Sequence, residues 1–294
     1  MGDKYVGCVS YADDIIIICA SLYGLKQMIK ICESYALKYQ VKFNGSKSKL
    51  MLFSSSDTDG QVDIRVFNET VEWVNNMDYL GFKMSNKGDD SYLDSVVKDF
   101  NCKFNIFMGD FQGIKSQLKC DLFSVYCTSY YGSNLCDLHH LESVEVQWRK
   151  ALRRIWYLPW RTHCSLLYNL CNLKPPRILF LTRFIKYFFK NVASENSVVK
   201  YIFQSTIKEN SRLGNNLRYI LCKIKYDVHN LIGNDINFDE INERLISEWQ
   251  MSLNENDKRI SEHMLELIKR RDSQEPWILS KTEIQSVLDM LAVS

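Results

Sequence analysis

Two short apolar runs, Tyr5–Ser10 and Ile15–Ala20, are separated by only Tyr11-Ala12-Asp13-Asp14. Apolar runs of that length on either side of a polar tetrapeptide read as strand, tight turn and strand. This hairpin constrains the chain more than any other feature. It sets two adjacent carboxylates on one turn, where their like charges repel. A hard divalent cation removes that repulsion, because Mg²⁺ takes carboxylate oxygens together with substrate phosphates. The plainer reading is a solvated turn, since Asp is common in turns.

The surrounding pattern places the hairpin in a mixed fold. Ser21–Tyr39 carries apolar residues at helical spacing, with Ser21 as N-cap. Val41, Phe43, Leu50, Leu52 and Phe53 read as extended chain. Val62, Ile64 and Val66 alternate with polar neighbours, as do Val71 and Trp73, and Asn68-Glu69 suits a hairpin turn between them. Tyr79–Met84 is one more strand candidate. Beyond Gly88 the period becomes helical: 92–107, 114–131, 141–157 and 177–192, with Pro175-Pro176 between the last two. The stretch 194–294 is polar and helical, with candidates at 238–251 and 258–271. The expected fold class is α+β, with boundaries near 90 and 194.

Composition narrows the class further. Apolar residues make up 46% and charged residues 24%, which excludes wholesale disorder, while 13% aromatics supply a substantial core. No run reaches the roughly 20 apolar residues of a membrane span, and the start is no signal peptide. The expected location is therefore intracellular, nuclear or cytoplasmic, with no membrane partner. The ten cysteines are then expected as free thiols, and no C-x-x-C pair suggests zinc. There is no Gly-x-Gly and no Gly-Lys-Ser/Thr phosphate loop.

The net charge of +2 conceals an asymmetry. Residues 1–140 carry −3, 141–190 carry +8, and 191–294 carry −3. A local excess of that size attracts phosphate backbones, although a solvated helix face has the same signature. Arg149, Lys150, Arg153 and Arg154 share one side of a helix, with Trp148, Leu152, Ile155 and Trp156 largely on the other. Trp156 and Trp160 are read as buried packing in preference to base stacking.

Tyr11-Ala12-Asp13-Asp14 resembles motif C of reverse transcriptases. Asn44-Gly45-Ser46-Lys47-Ser48 is similar to their motif D, as it occurs in LINE-type (non-LTR retrotransposon) enzymes. Tyr79-Leu80-Gly81 is similar to motif E, the primer-grip hairpin. Tyr131-Gly132-Ser133 and Trp148–Arg154 look like the thumb of the same elements. The resemblance covers about residues 5–170. It implies a partial polymerase palm of antiparallel hairpins plus one helix over 1–90, a helical thumb over 91–193, and a helical region without a counterpart over 194–294. It also implies Mg²⁺ (or Mn²⁺) as cofactor, and an RNA template, a DNA primer and dNTPs as partners. Asp13 and Asp14 would be metal ligands and catalytic residues. Lys47 would contact the triphosphate or protonate the leaving pyrophosphate. Tyr11, Leu80, Gly81 and the basic residues 149, 150, 153 and 154 would meet nucleic acid. An ordinary exposed lysine and a strand glycine remain the plain readings of Lys47 and Gly81.

One departure from the family is large. Its motifs A and B precede motif C, and motif A supplies another metal-binding aspartate. Here Met1 lies ten residues before Tyr11, and Asp3 is the sole earlier carboxylate. Ten residues of strand put Asp3 up to about 33 Å from Asp13 before the hairpin folds back. The resemblance thus implies the C-terminal half of a LINE-type enzyme, truncated ahead of motif C and inactive alone, with an unpaired sheet edge. The alternative is a non-catalytic nucleic-acid-binding or scaffold module built on the basic helix; a genomic relic with no selected role is a third reading.

Overall fold

The computed structural model describes residues 6–53, 62–86, 91–162, 164–226, 238–252, 259–260 and 262–263. The chain divides into two compact units, 1–89 and 90–294, and it is α+β: the described strands all lie in the first unit and the second is helical.

The first unit begins with the expected hairpin. β1 (Cys8–Tyr11) pairs antiparallel with β2 (Asp14–Ile17), Tyr11 opposite Asp14. The turn is therefore Ala12-Asp13, and Ala12 has φ 53°. Positive φ at the first central residue is the requirement of a II′ turn, whose twist matches that of the strands. α1 (Leu22–Tyr39) starts where the Ser21 hydroxyl accepts the Gly24 N–H at 3.1 Å. It buries Ile29 and Ala36 and ends on a left-handed Gln40.

Three short pairings complete this unit, and two differ from expectation. β4 (Arg65–Val66) and β5 (Glu69–Thr70) form a hairpin, but its turn is Phe67-Asn68, one residue earlier than Asn68-Glu69. Both turn residues have positive φ, the signature of type I′. Glu33 of α1 accepts the Phe67 N–H at 2.7 Å, which pins that register. β3 (Lys49–Leu50) runs parallel to β6 (Glu72–Trp73), tied by a Lys49–Glu72 ion pair. Residues 79–84 are not one strand: they hold the turn of a hairpin, β7 (Asn76–Tyr79) and β8 (Phe82–Ser85). Leu80 (φ 49°) and Gly81 (φ 74°) are its two turn residues, so the chain reverses where the apolar pattern suggested an extended run and where the resemblance to the motif E hairpin implied a turn. Ile64 and Val71 are the buried centre of this small unit, whereas Val9, Ile15 and Ile18 of the first hairpin region are exposed.

The second unit packs its helices around α4 (Glu142–Ile155), which touches α2 (Ser91–Asp110), α3 (Ser116–Tyr126), α5 (Cys164–Cys171) and α6 (Pro176–Val192). α6 in turn holds α7 (Ser197–Thr206) and, after α8 (Arg212–Lys223), α9 (Phe238–Met251). α6 begins with Pro176 in its first turn, where a missing N–H costs nothing. Aromatic rings dominate the core. Phe123 meets Phe100, Phe104 and Trp148 edge-on at 5.3–6.0 Å between centroids. α3 stops at Tyr126, short of the expected 131, and an irregular segment runs on to Leu141 with Gly132 at φ 78°. That segment is held from three sides. Tyr92 donates to the Tyr131 carbonyl at 2.6 Å, Arg183 to that of Thr128 at 2.8 Å, and Asn216 to that of Cys136 at 2.8 Å. The expected helix 258–271 lies mostly outside the described residues.

All ten cysteines are free. No described helix is long and apolar enough to cross a membrane.

Candidate functional site

Asp13 and Asp14 stand at the tip of the β1–β2 ribbon. Asp13 is the second turn residue and Asp14 the first residue of β2, so both stand at the end of the ribbon, and both are exposed. Tyr11 is 66% exposed on the opposing strand. Neither aspartate side chain makes a hydrogen bond or ion pair with a described residue. Two neighbouring hard oxygen donors suit one Mg²⁺ whose remaining shell comes from water or phosphate. Among the described residues no group of three His, Cys, Asp or Glu side chains converges. The described residues thus furnish no two-ion centre, which needs ligands from separate strands. Asp3 lies outside the described residues.

Lys47 sits on a turn built by its neighbours. The Asn44 side-chain oxygen accepts the Lys47 N–H at 3.1 Å and the Ser46 hydroxyl at 2.7 Å and so caps the turn. The Ser48 hydroxyl donates to the Asn44 carbonyl at 2.9 Å and closes the loop. Gly45 is required there: a Cβ would stand 2.6 Å from the Glu69 Cβ. The result presents Lys47 to solvent on a fixed backbone. No bond joins it to Asp13 or Asp14. Leu80 and Gly81 form the tip of the β7–β8 ribbon, with Leu80 39% exposed. Both adopt left-handed backbone, which glycine accepts freely and leucine only at a cost of about 1–2 kcal/mol.

In the second unit the four basic residues of α4 do not form one free face. Arg149 is half-buried against the Tyr168 hydroxyl; burial raises that phenol's pKa to about 12, and the Arg149 charge and hydrogen bond offset part of the rise. Arg153 donates to the Thr162 carbonyl at 2.7 Å and so ties down the segment after the helix. Arg154 is exposed but donates to Asn105 of α2 at 3.0 Å, its guanidinium 5.0 Å from the centre of the Phe104 ring. Lys150 alone is exposed with no partner among the described residues. The i, i+1, i+4, i+5 spacing reported the side of the helix. It could not report which cations the neighbouring helices claim.

The two tryptophans part company. Trp156 is 1% exposed, as expected, its N–H 3.1 Å from the sulfurs of both Cys120 and Cys171. Burial pushes the Cys171 thiol well above its ordinary pKa. Trp160, expected in the core, is 76% exposed. Trp156 already fills the space at the end of α4, and the chain reverses at Tyr157 (φ 52°) before Trp160 is reached. Pro159, one position before it, was the sequence signal for a break from the helix.

Residues 3–84 match the family model of the reverse transcriptases (RNA-dependent DNA polymerases). The matched segment spans the Asp13-Asp14 ribbon, the Lys47 turn and the Leu80-Gly81 turn, and ends before the helical unit. No curated protein and no solved structure gives a match.

Proposed function

We propose that this chain carries part of an RNA-directed DNA polymerase of the LINE type: the metal hairpin, the nucleotide-side lysine and the primer-side turn of a palm, followed by a helical unit that tracks the template–primer. The observation that carries this reading is the placement of Tyr-Ala-Asp-Asp on a two-residue turn inside a segment matching the reverse-transcriptase family. Asp13 and Asp14 would hold Mg²⁺ (or Mn²⁺), which when bound supplies charge neutralisation at the reacting phosphate. Lys47, on its Asn44-capped turn, presents a mobile ammonium to a triphosphate. The Leu80-Gly81 tip brings backbone close to a primer strand. In the helical unit, Lys150 and the outer edge of α4 meet phosphate, and Arg149 and Arg153 act mainly by fixing the helix and the segment that follows it.

On this reading the bare chain does not extend a primer, because the described residues bring no third carboxylate beside Asp13 and Asp14. A completing segment would pair along the open ribbon and cover Val9 and Ile15.

The residues 146–194, which hold ten basic side chains and no carboxylate, favour a second reading: a binding module that holds nucleic acid without catalysis. Primer extension with Mg²⁺ and with Mn²⁺ tests both. Expected are salt-dependent binding of an RNA–DNA primer–template and no dNTP incorporation. Incorporation by the chain alone, lost in Asp13→Asn, would overturn the inactivity. Fusing the fingers-and-palm half of a LINE-type enzyme ahead of Met1 separates the readings. Asp13-dependent incorporation supports the polymerase part. A folded fusion that binds primer–template and incorporates nothing leaves the binding module.

A further inference from the structure

We propose that Trp160, with Tyr157 beside it, is a stacking platform for the bases of single-stranded nucleic acid, a proposal that rests on the nucleic-acid reading above. The platform is built from the end of α4 outward. The helix closes with a Schellman motif: the Tyr157 N–H donates to the Arg154 carbonyl at 3.4 Å and the Leu158 N–H to that of Arg153 at 2.9 Å. The next turn is locked by Thr162, whose N–H and hydroxyl both donate to the Pro159 carbonyl, at 3.1 and 2.7 Å. Arg153 reaches across to the Thr162 carbonyl. An exposed indole is thus carried on a backbone fixed at both ends, which limits the order that must be imposed on binding.

Its surroundings specify the ligand. The Arg161 guanidinium lies 4.8 Å from the Trp160 ring centre, over one face. The residue is still 76% exposed, so area for a second flat group remains. Tyr157 is 46% exposed; the Lys119 ammonium, 6.0 Å from its ring centre, is buried and donates to the Gln112 carbonyl at 3.2 Å, so it steadies the ring from behind and leaves Arg161 as the exposed cation at the platform. From Trp148 to Arg161 there are five basic residues and no acidic one. Two open aromatic rings with an exposed guanidinium against one of them match a chain that alternates flat bases with phosphates. A protein partner would equally accept the rings but has no need of a segment in which basic residues stand without a single carboxylate. A duplex keeps its bases stacked on one another and offers the rings only its ends.

The test uses the full chain with a fluorescein-labelled oligothymidylate and a duplex of equal length, titrated over a range of salt. Trp160→Ala should weaken single-strand binding about tenfold, because one stacked base is lost, while Trp160→Phe retains most of the affinity. Stacking releases no counterions, so the salt slope should stay at the parent value, as should duplex affinity. Tyr157→Gly supplies a variant that is safe for folding, since glycine favours the left-handed conformation at that position. It should bind the oligonucleotide more weakly and melt no lower than the parent. The proposal is overturned if Trp160→Ala binds the oligonucleotide as the parent does, or loses single-strand and duplex affinity equally. Those results leave the wider reading standing, whereas a parent chain that binds neither nucleic acid removes both.

Discussion

Replacing Arg154 and Lys150 separately by alanine distinguishes cations that hold the fold from cations that face a ligand. Arg154 gives one charged hydrogen bond to Asn105 at 3.0 Å and stacks over Phe104 at 5.0 Å. At an exposed position the hydrogen bond is worth about 0.5–1 kcal/mol and the cation–ring attraction a similar amount. Arg154→Ala should therefore destabilise the helical unit by about 1–2 kcal/mol. For a domain of this size that is a fall in melting temperature of about 3–6 °C. Lys150 has no such partner, so Lys150→Ala should change stability by less than about 0.5 kcal/mol. Its effect belongs to binding: with one phosphate fewer neutralised, the slope of log affinity against log salt falls by about 0.9 on duplex. The assay is a thermal melt followed by far-UV circular dichroism, paired with a salt-titrated anisotropy measurement on a primer–template duplex. If Arg154→Ala melts with the parent while its salt slope falls as far as that of Lys150→Ala, the division of labour on α4 is wrong.

Asn216→Ala should cost about 3 kcal/mol by urea unfolding, because the buried Leu138 N–H and Cys136 carbonyl both lose their partner; a loss under about 1 kcal/mol would contradict this. Glu142 is held below the ordinary carboxylate pKa by its own backbone N–H and then by Arg177, so its contribution is present above that ordinary value and lost as pH falls through the lowered one. Acid melts of Glu142→Gln should therefore lack that part of the parent's pH dependence, and parallel curves for the two proteins would refute the assignment.

The local rules of strands and caps made much of the first unit legible. Apolar runs around Tyr11–Asp14 and the serine at position 21 determine a hairpin and a helix start through nearest neighbours alone, and both form. Turn placement was harder. Phe67-Asn68 and Leu80-Gly81 put bulky residues at positive φ, and such turns carry a weaker local signal than Asn-Gly. Their registers depend on bonds such as Glu33 to Phe67, whose partners are distant in sequence. The partner of Glu72-Trp73 was illegible for the same reason: its parallel mate, Lys49-Leu50, lies more than twenty residues earlier. In the helical unit the polarity of α4 was plain from its period. The exposure of Trp160 was not: Pro159 marks a break from the helix, but which side of the broken chain an aromatic ring then faces depends on the left-handed turn at Tyr157 and on Trp156 already occupying the core. The carboxylate pair was the most legible feature of the site, being adjacent in sequence, while the bonds that occupy Arg149, Arg153 and Arg154 arise from other segments.

On the proposed function, the ribbon tip formed by Ala12, Asp13 and Asp14 receives a divalent cation. Paramagnetic broadening of the backbone amide resonances by substoichiometric Mn²⁺ reads this residue by residue and needs no catalysis. Broadening should centre on residues 12–14, be reversed by excess Mg²⁺ and be lost in Asp13→Asn, which should keep the parent's fold. Uniform weak broadening over the acidic surface, or an Asp13→Asn chain broadened as strongly as the parent, would contradict it.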